Sequence, residues 1–295
     1  MTTFPEPECI WDMKAELGEG PVWSELDQAL YCVDIQGCCL HRYTPGTGMR
    51  TSWDTPARTT FAVPVAGGGL LCGHADGLRS FSPADGSFGP LHPIEPLLHD
   101  NRLNDGAVDG AGRLWFGTMH DPEEEATGSL YRLTGFGAQP APELMDTGYT
   151  VSNGPAFDPA RHRMYHNDSP AQRVYAFDVT PDGDLSNKRV FARLEHGYPD
   201  GMAVDSTGTL WVALFAGGGL QRFLPDGSKD GFIPLPCDNV TKIAFGDADL
   251  RTAYVTTARK GLDEETLARQ PHAGGLFRFR VEVPGLPQNL FRADG

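Results

Sequence analysis

The same short phrase recurs along this chain, and the recurrence constrains the fold more than any other feature. Each copy is an acid or amide, then glycine, then an apolar run: Glu19-Gly20-Pro21-Val22-Trp23, Asp105-Gly106-Ala107-Val108, Asn153-Gly154-Pro155-Ala156-Phe157 and Asp200-Gly201-Met202-Ala203-Val204. A second apolar run follows, and over the whole chain the second runs begin at Leu30, Leu70, Leu114, Met164, Leu210 and Ala253, between 40 and 50 residues apart. A third run ends on a large side chain, from Leu40-His41-Arg42-Tyr43 to Leu276-Phe277-Arg278-Phe279, and most third runs lead into turns such as SPADG, TPDG or LPDG. Short runs punctuated in this way are strands joined by hairpins. Six units of this period predict an all-β fold, a six-bladed β-propeller with four-stranded antiparallel blades, in one domain over residues 1–295. Fourth strands are expected near 49–53 and 188–192, and only 263–269 carries a helical pattern. An open blade edge must be covered. Either 9–14 or 287–291 could supply the outer strand of the last blade.

Composition agrees and narrows the function classes. The 36 glycines and 24 prolines suit a chain of many turns, and 295 residues at 40% hydrophobic content bury a full core. A formal charge of −15 repels phosphates, so no nucleic-acid partner is expected. No apolar run reaches the roughly 18 residues of a membrane span. The opening MTTFPEPECIWD places acids and prolines where an export signal needs a basic start and an apolar core, so a cytoplasmic location is expected. The six cysteines form no CxxC pair and read as buried free thiols.

In a four-stranded blade the innermost strand lines the central channel. The loop entering that strand and the loop between the second and third strands share one face. Glu19, Asp105, Asn153 and Asp200 are therefore expected to ring one mouth. The extra residues in two long second-to-third connections, 119–127 and 258–273, should overhang it. Two units break the pattern, at Thr59-Thr60-Phe61 and Val240-Thr241-Lys242. Turn formation alone would be served by Asp and Gly throughout, whereas Glu, Asn and Asp offer an oxygen-only set suited to a hard or borderline divalent ion. Any one of them alone could equally be a solvated turn residue. Asp105 could instead bond backbone amides at its turn, while its neighbours Arg102 and Asn104 are placed to face a ligand. The nine histidines show no ligand spacing. His41, His162 and His272 read as surface residues, and His120 and His166 lie on the candidate face with either a ligand or a structural role. Glu123-Glu124-Glu125 reads as a solvated run.

The stretches LGEGPVW (17–23), RLNDGAVDGAGRLWFGTM (102–119), SNGPAFD (152–158), YPDGMAVD (198–205) and ARKGLDEETLARQPHAGGLFRF (258–279) occur in order. With them the chain resembles the senescence-marker protein/regucalcin/gluconolactonase family of six-bladed propellers. The resemblance implies metal-dependent hydrolysis of a sugar lactone, a pentono- or hexono-lactone, to the aldonic acid. It implies one divalent ion (Ca2+, Zn2+, Mg2+, Mn2+ or Fe2+) on Glu19, Asn153 and Asp200, with substrate contacts from Arg102 and Asn104. His120 is a third substrate-binding candidate. Animal members of the family use an acid shortly after the GTM stretch. Here that position is Pro122, which cannot serve, and the lid is more similar to those of bacterial pentose or hexose lactonases. Asp200 is the expected general base, and no Gly-x-Ser-x-Gly elbow suggests a covalent route. The expected partner is a small sugar lactone, without nucleic acid, membrane or obligate protein partner. The alternatives are a metal-dependent esterase or organophosphate hydrolase on the same scaffold, and a non-enzymatic calcium-binding propeller.

Overall fold

In the computed structural model, which describes residues 6–137 and 140–294, six sheets form the blades of a β-propeller. Their first strands touch one another in cyclic order around a central channel. Blade one runs Gly18–Ser24, Ala29–Asp34, Cys39–Thr44 and Met49–Asp54, each strand antiparallel to the last. Blades three, four and five repeat this pattern from Asn101–Val108, Ser152–Asp158 and Tyr198–Val204. All six expected positions, Leu30, Leu70, Leu114, Met164, Leu210 and Ala253, fall in second strands. The fourth strands Met49–Asp54 and Leu185–Arg193 contain the two stretches read as such.

Inner strands are buried on both faces because each blade packs between two neighbours. Every residue of Gly18–Ser24 is buried, whereas Met49–Asp54 is half exposed. The core is therefore a set of layers between blades. Trp211 of blade five meets Phe245 of blade six edge-on at 5.6 Å, and Phe61 of blade two meets Phe116 of blade three at 6.4 Å. Each buried tryptophan of blades three and five also needs a partner for its indole N–H. Asp109 accepts from Trp115 Nε1 and Asp205 from Trp211 Nε1, both at 2.9 Å. The other oxygen of each aspartate takes amides of the hairpin between, those of Ala111 and Arg113 or of Thr207 and Thr209. One side chain thus fixes both turn and core.

Blade two departs from the pattern. Its outer edge is split into Ser87–Phe88 and His92–Pro93, both paired with Gly77–Ser82, because Pro90 between them has no N–H for the ladder. Blade six is Val240–Gly246, Thr252–Thr257 and Leu276–Arg280, and the N-terminal strand Glu8–Trp11 closes it. The other closing candidate, 287–291, crosses the far end of the channel instead. There Phe291 donates its amide to Pro64 O at 2.8 Å, and Asn289 Nδ2 donates to Val108 O at 3.0 Å. The one α-helix among the described residues, Glu264–Arg269, is capped by Asp263, which accepts the Thr266 amide at 2.8 Å. Among the described residues no helix is long and apolar enough to cross a membrane.

All six cysteines are free. Cys32, Cys72 and Cys237 are buried as expected, but Cys9 on the closing strand, Cys38 in a hairpin and Cys39 at the start of a third strand are only partly covered. His41, expected at the surface, is also buried, with Nδ1 2.8 Å from Ser52 Oγ and the Trp11 ring edge-on at 5.2 Å. The N-terminal strand that closes blade six brings that cover. His162 and His272 are exposed.

Candidate active site and metal cup

The four recurring polar residues do not sit on loops ahead of the strands, as the topology argument expects. Each lies within its first strand at a break in register: between Glu19 and Val22, Leu103 and Gly106, Asn153 and Ala156, and Pro199 and Met202. A bulge leaves residues out of the ladder and re-aims a side chain. Here glycine makes it possible, with Gly20 at φ +57° and Gly154 at φ +86°. The recurring acid-Gly or amide-Gly phrase is thus the signature of a bulge facing the channel.

A cavity of about 320 Å³ opens at this end, and Glu19, Asn153 and Asp200 all line it, each less than a tenth exposed. The Asn153 amide is fixed in one orientation. Its Nδ2 donates to Ser169 Oγ at 2.9 Å, whose hydroxyl in turn donates to Pro199 O at 2.7 Å. Its Oδ1 accepts from Asn104 Nδ2 at 2.9 Å, which leaves a second lone pair for a ligand. Asn104 Oδ1 accepts from Arg102 Nη1 at 2.7 Å, so Arg102, Asn104 and Asn153 form one chain of hydrogen bonds along the wall.

The carboxyl groups of Glu19 and Asp200 lie within hydrogen-bonding reach of each other. Burial, first, and the neighbouring Asp105 charge push the Glu19 pKa up, against the opposing pull of Lys242 and the Gly20 amide. Burial, then the charges of Glu19 and Asp105, push Asp200 well above the usual carboxylate range. Two adjoining buried carboxyls, both driven up by burial and by the Asp105 charge, beside an amide oxygen with a spare lone pair, are a donor set that a divalent cation fits. Asp105 itself does not line the cavity. It accepts from its own turn amide, Gly106, at 2.7 Å, from Gly154 at 3.1 Å, and from Lys242 Nζ.

Arg102 is 4% exposed and is held by Asp121, which accepts its Nε at 2.7 Å. Asp121 also takes both terminal nitrogens of Arg58, at 3.1 and 2.7 Å. Burial works against the Asp121 charge, but the two guanidinium groups outweigh it and hold its carboxyl below the usual range. Asp121 went unassigned in the sequence because the family's acid position falls one residue later, at Pro122. Its role shows only when Arg58, from the linker before blade two, is brought alongside.

His120 does not line the cavity. It ends the strand Leu114–His120, so the expected overhang of 119–127 begins only at Asp121, and its Nδ1 accepts the amides of Glu124 and Glu125 at 3.2 and 3.1 Å and so shapes that loop. His166 is also outside the wall. It is fully buried, with Nε2 3.0 Å from Ser152 Oγ and the Tyr149 ring edge-on at 4.7 Å, and burial pushes its pKa down to about 3. The two long connections meet over the mouth, where Lys260 Nζ lies 2.5 Å from Glu123 Oε1, and both residues line the cavity. The remaining wall is mostly apolar, with Leu17, Ile35, Val151, Pro170 and Phe215 beside the Tyr198 ring. Away from the channel, Cys9, Asp12 and His272 bring ligand-type atoms within 4.8 Å of one another, but Asp12 is paired with Lys14 at 2.9 Å.

Known proteins resemble this chain over nearly its whole length. A 6-deoxy-6-sulfogluconolactonase of Pseudomonas putida is 37% identical over 288 residues, 96% of this chain and 98% of that protein. An L-arabinolactonase of Azospirillum brasilense is 36% identical over 285 residues, 95% and 93% of the two chains. Among solved structures, the calcium-binding protein regucalcin from Agrobacterium tumefaciens superposes with a TM-score of 0.91 at 26% identity, covering 98% of each chain. With residues 17–259 matching the family model described as SMP-30/Gluconolactonase/LRE-like region, this chain belongs to that family.

Proposed function

We propose that the protein hydrolyses a sugar lactone of the pentono or hexono class to its aldonic acid, with one divalent ion held by Glu19, Asn153 and Asp200. The observation that carries this reading is the pairing of two buried carboxyls and an oriented amide oxygen with Arg102 and Asn104, in one cavity. Its volume lies at the low end of ligand pockets, about 300–1,000 Å³, which suits a single sugar ring.

A bound divalent ion supplies a Lewis acid for the lactone carbonyl and makes a water easier to deprotonate. The chain's own residues do the rest. Asp200 accepts the proton of the attacking water on its carboxylate. Arg102 commits Nε to Asp121 and Nη1 to Leu103 O and Asn104, which leaves Nη2 to donate to a sugar oxygen. Asn104 commits both amide hydrogens to Ser152 O and Asn153 Oδ1, and its Oδ1, which already accepts from Arg102 Nη1, keeps one lone pair to accept from a sugar hydroxyl. The Glu123–Lys260 pair and the apolar wall limit water at the mouth.

The five apolar wall residues also favour a second reading, an ester with an apolar acyl or leaving group. A pH-stat screen separates the two: pentono- and hexono-lactones beside phenyl acetate, with and without chelator, followed by add-back of each divalent ion. Lactone turnover that chelator abolishes and one ion restores is the expected result. Turnover of phenyl acetate alone supports the second reading. Ion binding with no turnover of either identifies a non-enzymatic binding propeller.

A further inference from the structure

Blade six breaks the recurring phrase with Lys242, and the structure gives that break a use. The Lys242 side chain passes over Gly201, the residue after Asp200. A Cβ there would lie 2.2 Å from Lys242 Cγ, so only glycine leaves the path open. The ammonium then reaches Asp105 Oδ1 from blade three, and both side chains are less than a tenth exposed. Asp105 also holds the amide of Gly154, the residue after Asn153. The ion pair therefore touches the Asp200 and Asn153 bulges at once without lining the cavity.

The charges follow from these contacts. Once a bound ion displaces their protons, Glu19 and Asp200 join Asp105 as three carboxylates in one buried group, and Lys242 returns one positive charge. Arg102 on the wall is held by Asp121, which it shares with Arg58. The cup therefore keeps more carboxylate than cation, an excess that a divalent ion neutralises. Lys242 also occupies the Asp105 oxygen that would otherwise invite an ion deeper in the channel.

We propose that Lys242 is a tethered internal cation that, through Asp105, sets the charge of the cup and thereby its affinity for a single divalent ion. Lys242 and Asp105 are positioning residues, since neither faces the cavity. The proposal rests on the metal reading above but is tested by binding rather than turnover.

Three variants of the full chain form a charge ladder: Lys242→Met, Asp105→Asn, and the double variant. Each is freed of metal and titrated with Mn2+ by calorimetry, and bound metal per chain is measured after dialysis. Lys242→Met should bind Mn2+ about tenfold more tightly than the unaltered chain and Asp105→Asn about tenfold more weakly. The double variant restores the charge and should lie within about threefold of the unaltered chain. Merely structural roles would weaken both single variants alike, and that outcome overturns the proposal, as do affinities that all coincide. Where Lys242→Met fails to fold, the double variant is compared with Asp105→Asn. About tenfold tighter binding by the double variant supports the proposal, and equal binding overturns it. If the unaltered chain and every variant bind no Mn2+ or Ca2+, the metal reading itself fails and the proposal with it.

Discussion

The six inner strands begin at one end of the channel and finish at the other, and the two ends follow opposite rules. Where the strands begin, bulges turn carboxyl groups inward until Glu19 and Asp200 share a buried site that raises both pKa values. Where they finish, the C-terminal segment lies across the opening, with Leu286 bonded to Val204 O, Asn289 to Val108 O and Phe291 to Pro64 O. Gly285 sits so close to the Phe245 ring that a Cβ would be 2.1 Å from it. One end keeps like charges together at a cost in stability. The other joins four blades with backbone bonds and apolar contact. Stability and chemistry are thus separated along the same strands, and each end can be altered while the other is monitored.

The largest effects are expected at the polar end. Asp200→Ala should abolish lactone hydrolysis. Asp200→Asn should keep some metal, since an amide oxygen can ligate as Asn153 is proposed to do, yet lose roughly a hundred- to ten-thousandfold in kcat because an amide takes no proton. Full rescue of Asp200→Asn by excess metal contradicts the base assignment. Glu19→Gln should weaken metal binding, recover activity with added ion, and raise the melting temperature of the metal-free protein, because it removes one of two repelling carboxyls. A lower metal-free melting temperature would show that the pair supports the fold.

At the apolar end, Phe291→Ala should act on the fold alone. The ring is fully buried among Phe61, Val63, Leu71 and Phe116, and its loss should cost about 3–5 kcal/mol in urea unfolding. The folded fraction should keep its kcat and KM. A variant that unfolds normally but loses turnover would mean that the two ends are coupled through the channel.

How much of this was legible in the sequence follows the same division. The recurring phrase and its spacing were enough to place every second strand, because inner strands buried on both faces leave long apolar runs. The bulges were not legible as bulges. Acid-Gly-apolar reads equally well as a turn before a strand, and only the register with the partner strand tells them apart. Lys242 stood out as a break in the pattern, but its partner lies 137 positions away in sequence. Asp121 depends on Arg58 in the same way, and His120 was misleading because its proximity to the lid came from bonding the lid's own backbone. Nothing in the sequence distinguished a closing strand at 9–14 from one at 287–291, since both are short and apolar in part.

Between the two ends the second strands carry buried histidines, and these set the behaviour in acid. His166 is held near pKa 3 and His74 near 4, both by burial first. The ordinary value is about 6.5. Between these limits the unfolded chain takes up protons that the folded chain refuses. Both groups therefore contribute stability above about pH 6.5 that is lost as pH falls towards 4 and then 3. In a Glu19→Gln/Asp200→Asn background, which removes the two raised carboxyls of the cup that act in the opposite sense, urea midpoints measured from pH 7 to 4 should fall, and a further His166→Gln should flatten the slope. An unchanged slope would mean that His166 is charged in the folded state.

A smaller change is expected from Asp121→Asn. The amide keeps an acceptor for Arg102 but removes the charge that balances two guanidinium groups, one of them buried. Arg102 should lose its fixed position, so KM for the lactone should rise roughly tenfold while kcat changes less. A large loss of kcat at constant KM would place Asp121 in the proton transfer instead.

The smallest effect on stability and metal binding, and the most selective effect on substrate, is expected at the lid. Glu123 and Lys260 have side chains about two-fifths exposed, so their ion pair contributes about 0–1 kcal/mol to the fold. Lys260→Met should leave the melting temperature and the affinity for Mn2+ nearly unchanged. Both residues nevertheless line the cavity, where their charges are expected to meet the end of the proposed sugar farthest from the cup. Replacing residues 122–127 with a shorter polar loop removes Glu123 and frees Lys260 while Asp121 stays on Arg102, leaving an unmatched positive charge at the mouth. The ratio of kcat/KM between a lactone with an acidic terminal group and its neutral counterpart should then rise. Metal affinity should hold because Glu19, Asn153 and Asp200 are set by bulges in three other blades. A hundredfold loss of metal affinity at a fixed substrate ratio would show that the loop supports the cup rather than reading the substrate.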